Sequence, residues 1–91
     1  MDIPKYDRIP EHCRNAARRY VEDGKLPGSF LQAVLLNDLS AAFNRADPTN
    51  LARLHDWVLW LNHDIYDDCW GSREKILAWC DGGWLRGRAG A

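Results

Sequence analysis

The sequence has almost no net charge, because 12 lysines and arginines face 13 aspartates and glutamates, which gives a formal charge of −1. Proteins that bind polyanions without specificity carry a basic excess, and proteins that imitate DNA carry a strong acidic excess. The charge balance therefore argues against both classes. Of the 91 residues 46% are hydrophobic. Disordered chains do not combine that content with low net charge, so we expect one folded domain.

Cysteines are few and are not arranged in pairs. The three of them, Cys13, Cys69 and Cys80, form an odd set without a CxxC motif, so reduced thiols are expected rather than a disulfide framework. His55 and His63 would complete a set of zinc-ligand types, but structural zinc sites use close ligand pairs, and none occurs here. We therefore expect no metal ion and no other cofactor.

Long apolar runs are also missing. The N-terminus MDIPKYDRIP is polar, and no apolar run approaches the roughly twenty residues of a transmembrane helix. We expect neither a signal peptide nor a membrane span, and a protein that works in the cytoplasm of the cell that makes it. No motif for catalysis or nucleotide binding is present. The adjacency of His12 and Cys13 is no evidence of a catalytic pair, so we do not expect an enzyme.

The sequence does have helical periodicity throughout. It predicts an all-α fold, a compact bundle of three main helices plus a short C-terminal helix, with residues 1–8 and 86–91 flexible. Ser29, Asp47 and Ser72 are predicted N-caps, and Gly24 and the pair Gly82-Gly83 are predicted stops. The predicted helices cover residues 10–23, 29–46, 48 to 62 or 63, and 72–80.

Asp38 lies near the middle of the apolar arc of the predicted second helix, on the same side as Val34 and Ala42. A buried carboxylate without a partner is costly. We therefore expect Asp38 to pair with Arg45 two turns further on or with an arginine of the first helix, or to accept hydrogen bonds from the start of a neighbouring helix. A catalytic acid or base is the alternative, but no second suitably placed group accompanies it. Tyr20, on the apolar face of the first helix, is also predicted to be structural.

Five tryptophans lie from Trp57 to Trp84, more than a core of this size needs, which indicates that some of them contact a partner. Trp57 borders the leucine side of the third helix and is predicted to be core, whereas Trp60 is predicted to project from a polar face. Trp79 and Trp84 are expected to hold the fourth helix on the bundle. The predicted partner-binding surface consists of two tryptophans and the charged residues near them, which are Trp60, Trp70, Arg53, Asp56, Asp64, Asp67 and Asp68. Aromatic anchors ringed by carboxylates suit a basic protein surface.

A basic stripe on the first helix, formed by Arg14, Arg18 and Arg19, is the alternative contact surface, for nucleic acid. Acidic residues share the same segment, so a solvated face of mixed charge is the favoured interpretation. No predicted helix carries the cluster of arginine, lysine, asparagine and glutamine that reads bases. We therefore do not expect direct nucleic-acid binding.

A spaced set of residues is characteristic of one group of proteins. The set is Ile9-Pro10, Arg19-Tyr20, Gly24, 27–31 (PGSFL), 33–35 (AVL), 37–39 (NDL), 45–47 (RAD), Asn50 and 69–72 (CWGS). With this set, over most of residues 9–80, the chain resembles a family of small uncharacterised proteins encoded by tailed phages and prophages. The resemblance implies a phage origin and no particular activity. The chain departs from the family at Asp67-Asp68, where a proline and small residues would be expected. Any role of this acidic pair would therefore be particular to this protein.

Together these features predict a small phage-type accessory protein that binds a host or competing protein stoichiometrically in the bacterial cytoplasm. The most specific prediction is an inhibitor of a bacterial defence system such as a CRISPR effector, an anti-CRISPR-like protein whose acidic edge occupies a basic nucleic-acid-binding groove. The alternatives are a small DNA-binding or transcriptional regulator and a protein that sequesters a small ligand. The sequence does not indicate an oligomeric state.

Overall fold

The computed structural model describes residues 3–85, and within this range the chain forms six α-helices and no strand. The all-α prediction is therefore confirmed for this part of the chain. The helices are α1 (Arg14–Asp23), α2 (Ser29–Leu35), α3 (Leu39–Arg45), α4 (Pro48–Ala52), α5 (Leu54–His63) and α6 (Arg73–Ala78). Short 3-10 turns, Glu11–Cys13 and Asp67–Cys69, precede α1 and α6, and a wide π-type turn, Trp79–Gly83, follows α6. The tail 86–91 and residues 1 and 2 lie outside the described residues.

Several helix ends lie where local chemistry predicts them. Gly24 ends α1 with a left-handed backbone (φ 68°), and the side chains of Asp47 and Ser72 accept the backbone N–H three residues further on. Ser29 is not a cap, because Gly28 occupies the N-cap position and Ser29 is the first helical residue. The first helix also begins later than predicted, since residues 11–13 form the 3-10 turn.

The predicted second helix is two helices, because the chain turns at Asn37 and Asp38. Asn37 adopts a left-handed backbone (φ 60°) and donates its N–H to Val34 at 2.9 Å, while Asp38 donates its N–H to Ala33 at 3.0 Å. These two bonds satisfy two of the last four carbonyls of α2, which is how helices end at a left-handed residue. Asparagine tolerates this conformation better than most residues.

Asp38 then begins α3. Its side chain accepts the backbone N–H of Ala41 at 3.0 Å, the geometry of a helix N-cap, and the residue is exposed. No ion pair joins Asp38 to Arg45 or to an arginine of α1 among the described residues. The prediction of a buried, paired Asp38 is therefore wrong, since it assumed one unbroken helix across residues 36–38.

Asp38→Ala should accordingly lower the free energy of unfolding by about 1 kcal/mol, the usual cost of removing an N-cap side chain. Breaking a buried ion pair would cost about 3 to 5 kcal/mol, so urea unfolding distinguishes the two situations. Asp38→Asn is the matched control, because asparagine still offers a carbonyl oxygen to Ala41 and should be nearly neutral. A loss of 3 kcal/mol, as a rough threshold, in both variants would contradict the exposed cap.

The predicted third helix is also divided, at Arg53, whose backbone (φ −118°, ψ 23°) leaves the helical region between α4 and α5. The Arg53 guanidinium donates to the carbonyl of Arg8 at 2.6 Å and to the carboxylate of Asp56 at 3.0 Å. Arg53 thus connects the junction between α4 and α5 to the N-terminal segment through hydrogen bonds.

The core is built around a row of aromatic rings. Trp57 packs edge-to-face on Phe30 and on Trp60, with ring centroids 5.4 Å apart in both pairs, and Tyr6 lies 6.5 Å from Trp60. The indole N–H of Trp57 donates to the side chain of buried Asn50 at 3.1 Å. Trp57 is therefore core, as predicted.

The C-terminal segment is held on α1 by two more tryptophans. Trp79 is buried and donates its indole N–H to the carbonyls of Tyr20 and Val21 at the end of α1. The ring of Trp84 lies directly over Gly24. Buried Tyr20 donates its hydroxyl to the carbonyl of Cys69 at 2.6 Å, which joins α1 to the turn before α6.

The N-terminal segment, which the sequence predicted to be flexible as far as residue 8, packs along α5. Lys5 donates its N–H to the carbonyl of Asp64 at 3.0 Å, and its own carbonyl accepts the indole N–H of Trp60 at 2.9 Å. Arg8 pairs with the Asp64 carboxylate at 2.8 Å, and Tyr6 and Ile9 are buried. Residues 5–9 are therefore part of the folded structure, with Tyr6 and Ile9 in the core.

Candidate protein interface

The predicted partner-binding surface is not a single surface, and its main anchor is buried. Trp60 has an exposed fraction of 0%, because Tyr6 and the carbonyl of Lys5 cover the ring that the sequence placed on a polar face. Asp64 is buried too and is paired with Arg8. The prediction that Trp60 projects from a polar face is therefore wrong, and the free protein presents neither Trp60 nor Asp64 at its surface.

The remaining predicted residues lie at opposite ends of α5. Arg53 and Asp56 form a half-buried ion pair at its first turn, whereas Asp67 and Asp68 lie beyond its last turn. Seven residues of helix at 1.5 Å each separate Asp56 from the end of α5 by about 10 Å, and Asp67 and Asp68 follow beyond that end. The carboxylates therefore do not form a ring around one anchor.

The end of α5 nevertheless has an acidic depression. Exposed Asp67 and Asp68 contribute to it, and we call it the acidic bay, lined by Asn62, His63, Ile65, Tyr66, Asp67 and Asp68. Trp70 follows closely in sequence but is half-buried and packs against the core. Its indole nitrogen is buried without a hydrogen-bond partner in the described part of the chain.

The thiols near this region are not activated. Cys69 is buried and its thiol contacts the carbonyl of Tyr66 at 3.0 Å. Burial raises the pKa of the Cys69 thiol to about 12, and burial also raises the pKa of Cys80. A thiol that stays protonated at neutral pH is a poor nucleophile. Within residues 3–85, no group of three or more histidine, cysteine, aspartate or glutamate side chains is placed to hold a metal ion.

Two of the three arginines of the basic stripe make intramolecular contacts. Arg14 donates to the carbonyls of Ile9 and Asp7 at 3.1 and 3.0 Å, and Arg18 lies 4.9 Å from the centre of the Tyr6 ring and 3.6 Å from Glu22. Both arginines thus hold the N-terminal segment. Arg19 is exposed beside them.

An exposed apolar surface lies instead on α3 and α5. A cleft of about 40 Å³ runs between the two helices over the end of α2. Its lining is apolar except at Asn37 and Asp38, and consists of Ala33, Val34, Asn37, Asp38, Leu39, Ala42, Leu54, Trp57, Val58 and Leu61. Leu39 and Val58, which line it from opposite helices, remain 69% and 47% exposed.

The apolar surface continues along α3. Phe43, one turn after Leu39, is 57% exposed and lines a second depression with Leu39. Large side chains in such a cluster mark contact sites more often than scattered ones do. We call Leu39, Phe43 and Val58, with the cleft that Leu39 and Val58 line, the α3–α5 face.

The sequence does not predict this face, because its helical periodicity does not predict the helix break at Asn37 and Asp38. An unbroken helix over 29–46 places Leu39 and Phe43 in the apolar arc that faces the core. The turn at Asn37 and Asp38 starts a new helix, of which only Ala42 is buried. The sequence does contain a signal for this break. Asn37 is a residue type that tolerates a left-handed backbone, and Asp38 after it is a favoured N-cap, so together they indicate the end of one helix and the start of the next.

The acidic bay adjoins the α3–α5 face on α5. Val58 lines the cleft and Asn62 lines the bay, one helical turn apart, and the Asn62 amide donates to the carbonyl of Val58 at 2.9 Å. Among the described residues, the cleft, the depression beside Phe43 and the bay are lined by three aspartates and by no lysine or arginine. The combined surface is apolar with a negative end.

No protein-family model, no curated protein and no solved structure matches this chain. None of the helices in residues 3–85 has the length and hydrophobicity that crossing a membrane requires.

Proposed function

We propose that this protein is a small binding protein that contacts another protein through the α3–α5 face. The observation that supports the proposal is the exposure of Leu39, Phe43 and Val58 around an apolar cleft. The ring of Trp60, which the sequence predicted as the anchor of a different surface, is buried. Apolar grooves between two helices are a recurrent mode of protein recognition, since burial of the exposed side chains supplies the free energy.

We infer further that the partner is a host or competing protein in the bacterial cytoplasm, and that the protein inhibits a bacterial defence system such as a CRISPR effector. Support for this finer proposal comes from the resemblance to tailed-phage proteins and from the acidic end of the surface, which fits a basic groove. Two alternatives are less well supported. Two of the three arginines that a DNA-binding regulator would use, Arg14 and Arg18, make intramolecular contacts. The apolar cleft, of about 40 Å³, is far smaller than the pockets of roughly 300 Å³ or more that hold small ligands, and the larger acidic bay is lined mostly by polar and charged side chains, unlike the mostly apolar pockets of that kind.

We expect Leu39→Ser with Phe43→Ser to abolish capture of the partner from a bacterial host lysate, because both side chains are mostly exposed in the free protein and would be buried by the partner. The matched control is Leu26→Ser with Leu77→Ser, two leucines 55% and 54% exposed that do not line the cleft or the bay. Quantitative mass spectrometry of the captured proteins should find a protein that the control retains and the face variant loses. Each change is at the surface, so stability should change by only about 0.5 kcal/mol per site.

Equal capture by the parent, the control and the face variant would contradict the α3–α5 face as the contact surface. Duplex DNA provides the contrasting test. Salt-sensitive binding that is lost when Arg14, Arg18 and Arg19 are replaced would favour the regulator, because phosphate contacts release counterions.

A further inference from the structure

We propose that the segment that occupies the α3–α5 face is a basic amphipathic helix, whose apolar side enters the cleft and whose lysine or arginine side chains reach the acidic bay. This inference rests on the proposed function, and it specifies the chemistry of the partner.

The shape of the surface favours a helix. The cleft lies between two helices, and a third helix can lay its apolar side chains along such a groove at three- and four-residue spacings. Exposed Leu39 and Phe43 are themselves one turn apart on α3, so they would meet side chains spaced one turn apart on the incoming helix. Val58 lies on the other side of the groove, on α5.

The charges favour a basic helix. Asp38 lines the cleft, and Asp67 and Asp68 line the bay next to it, whereas no lysine or arginine of the described residues lines either depression. The bay begins one turn along α5 from Val58, a rise of about 5 to 6 Å, which the side chain of a lysine or arginine spans. Electrostatic complementarity of this kind orients a partner and speeds its association.

A second copy of the chain is the less suitable occupant. A symmetric dimer pairs the surface with a rotated copy of itself, and no lysine or arginine of the described residues lines the cleft, the depression beside Phe43 or the bay, so the copy offers no lining cation to the three carboxylates. A basic helix meets the same three carboxylates with opposite charge.

The test uses the full chain and three synthetic peptides as probes, all acetylated and amidated. The first has leucines at helical spacings of three and four and lysines on the other side, the second has glutamates in place of the lysines, and the third is a scrambled form of the first. Fluorescence anisotropy should show that the lysine peptide binds at least about tenfold more tightly than the other two. Its affinity should fall as salt rises, since salt screens exposed charges.

Two variants assign that binding to the surface. Leu39→Ser with Phe43→Ser should weaken the lysine peptide by about tenfold or more, as loss of central apolar contacts does. Asp67→Lys with Asp68→Lys should remove the preference for the lysine peptide over the glutamate peptide. The control for net charge is Asp7→Lys with Glu11→Lys, two exposed acids that line neither the cleft nor the bay. This control should keep most of the preference.

The possible outcomes separate the inference from the proposed function. Equal binding of the lysine and glutamate peptides, both weakened by the serine changes, would overturn the basic partner and leave the face as a protein-binding surface. Failure of all peptides to bind would overturn the helical occupant, while the capture experiment still decides the proposed function. Dimerisation in sedimentation equilibrium that the serine changes abolish would assign the face to a second copy. Lysine-peptide binding that the serine changes leave unaltered would overturn the assignment to this face.

Discussion

Trp60→Ala should destabilise the fold by about 3 to 5 kcal/mol, the usual cost of truncating a buried tryptophan. The change empties the space beside the rings of Trp57 and Tyr6 and leaves the carbonyl of Lys5 without its indole donor. Small domains have only about 5 to 15 kcal/mol of stability in total, so the variant should unfold tens of degrees below the parent.

Thermal unfolding followed by circular dichroism measures this effect. Trp60→Phe is the matched variant, because phenylalanine fills much of the volume but cannot donate to Lys5, and it should have an intermediate melting temperature. A parent-like melting temperature for Trp60→Ala would place the ring on the surface and would restore it as a candidate contact residue.

Gly24→Ala should cost about 2 kcal/mol or more. Residue 24 has φ 68°, a left-handed conformation that costs an L-residue with a β-carbon roughly 1 to 2 kcal/mol. An added β-carbon would also overlap the indole ring of Trp84, so either the ring or the end of α1 must move. Urea unfolding and the near-ultraviolet dichroism of the tryptophans should both report the change.

Gly28→Ala is the control for this substitution. Gly28 has φ −68°, and nothing lies within reach of a β-carbon there. Alanine lowers the entropy of the unfolded chain, which stabilises the variant, whereas glycine is the better N-cap residue, which destabilises the variant. The net change in the free energy of unfolding should therefore stay within about 0.5 kcal/mol. Similar losses at positions 24 and 28 would mean that Trp84 does not pack on Gly24.

The sequence predicts those parts of the fold that depend on nearby residues. The stop at Gly24 and the caps at Asp47 and Ser72 each depend on hydrogen bonds within a few positions, and the structure contains all three. Helical periodicity likewise predicts that Trp57 faces inward.

The sequence does not predict which side chains are buried by segments that lie far away along the chain. Trp60 is buried because residues 5–9 return along α5, a contact that spans 55 positions to Lys5 and has no counterpart in the periodicity of α5. Asp64 is paired with Arg8 for the same reason. The exposed Leu39 and Phe43 follow from one turn at Asn37, which moves both side chains out of the apolar arc of the predicted helix, while Ala42 remains buried.

The shortness of α3 affects how tightly the α3–α5 face can bind. α3 has seven residues, fewer than an isolated helix needs, and Ala42 is its only fully buried side chain within the described part of the chain. Helices with so few buried contacts open locally at lower free energy than the rest of a domain. Leu39 and Phe43 therefore sit on one of the short helices, which open locally more easily than the longer α1 and α5 do, and a partner that binds them also orders α3. Part of the free energy of contact is consumed by this ordering, which favours a reversible complex whose surface can adjust to the partner.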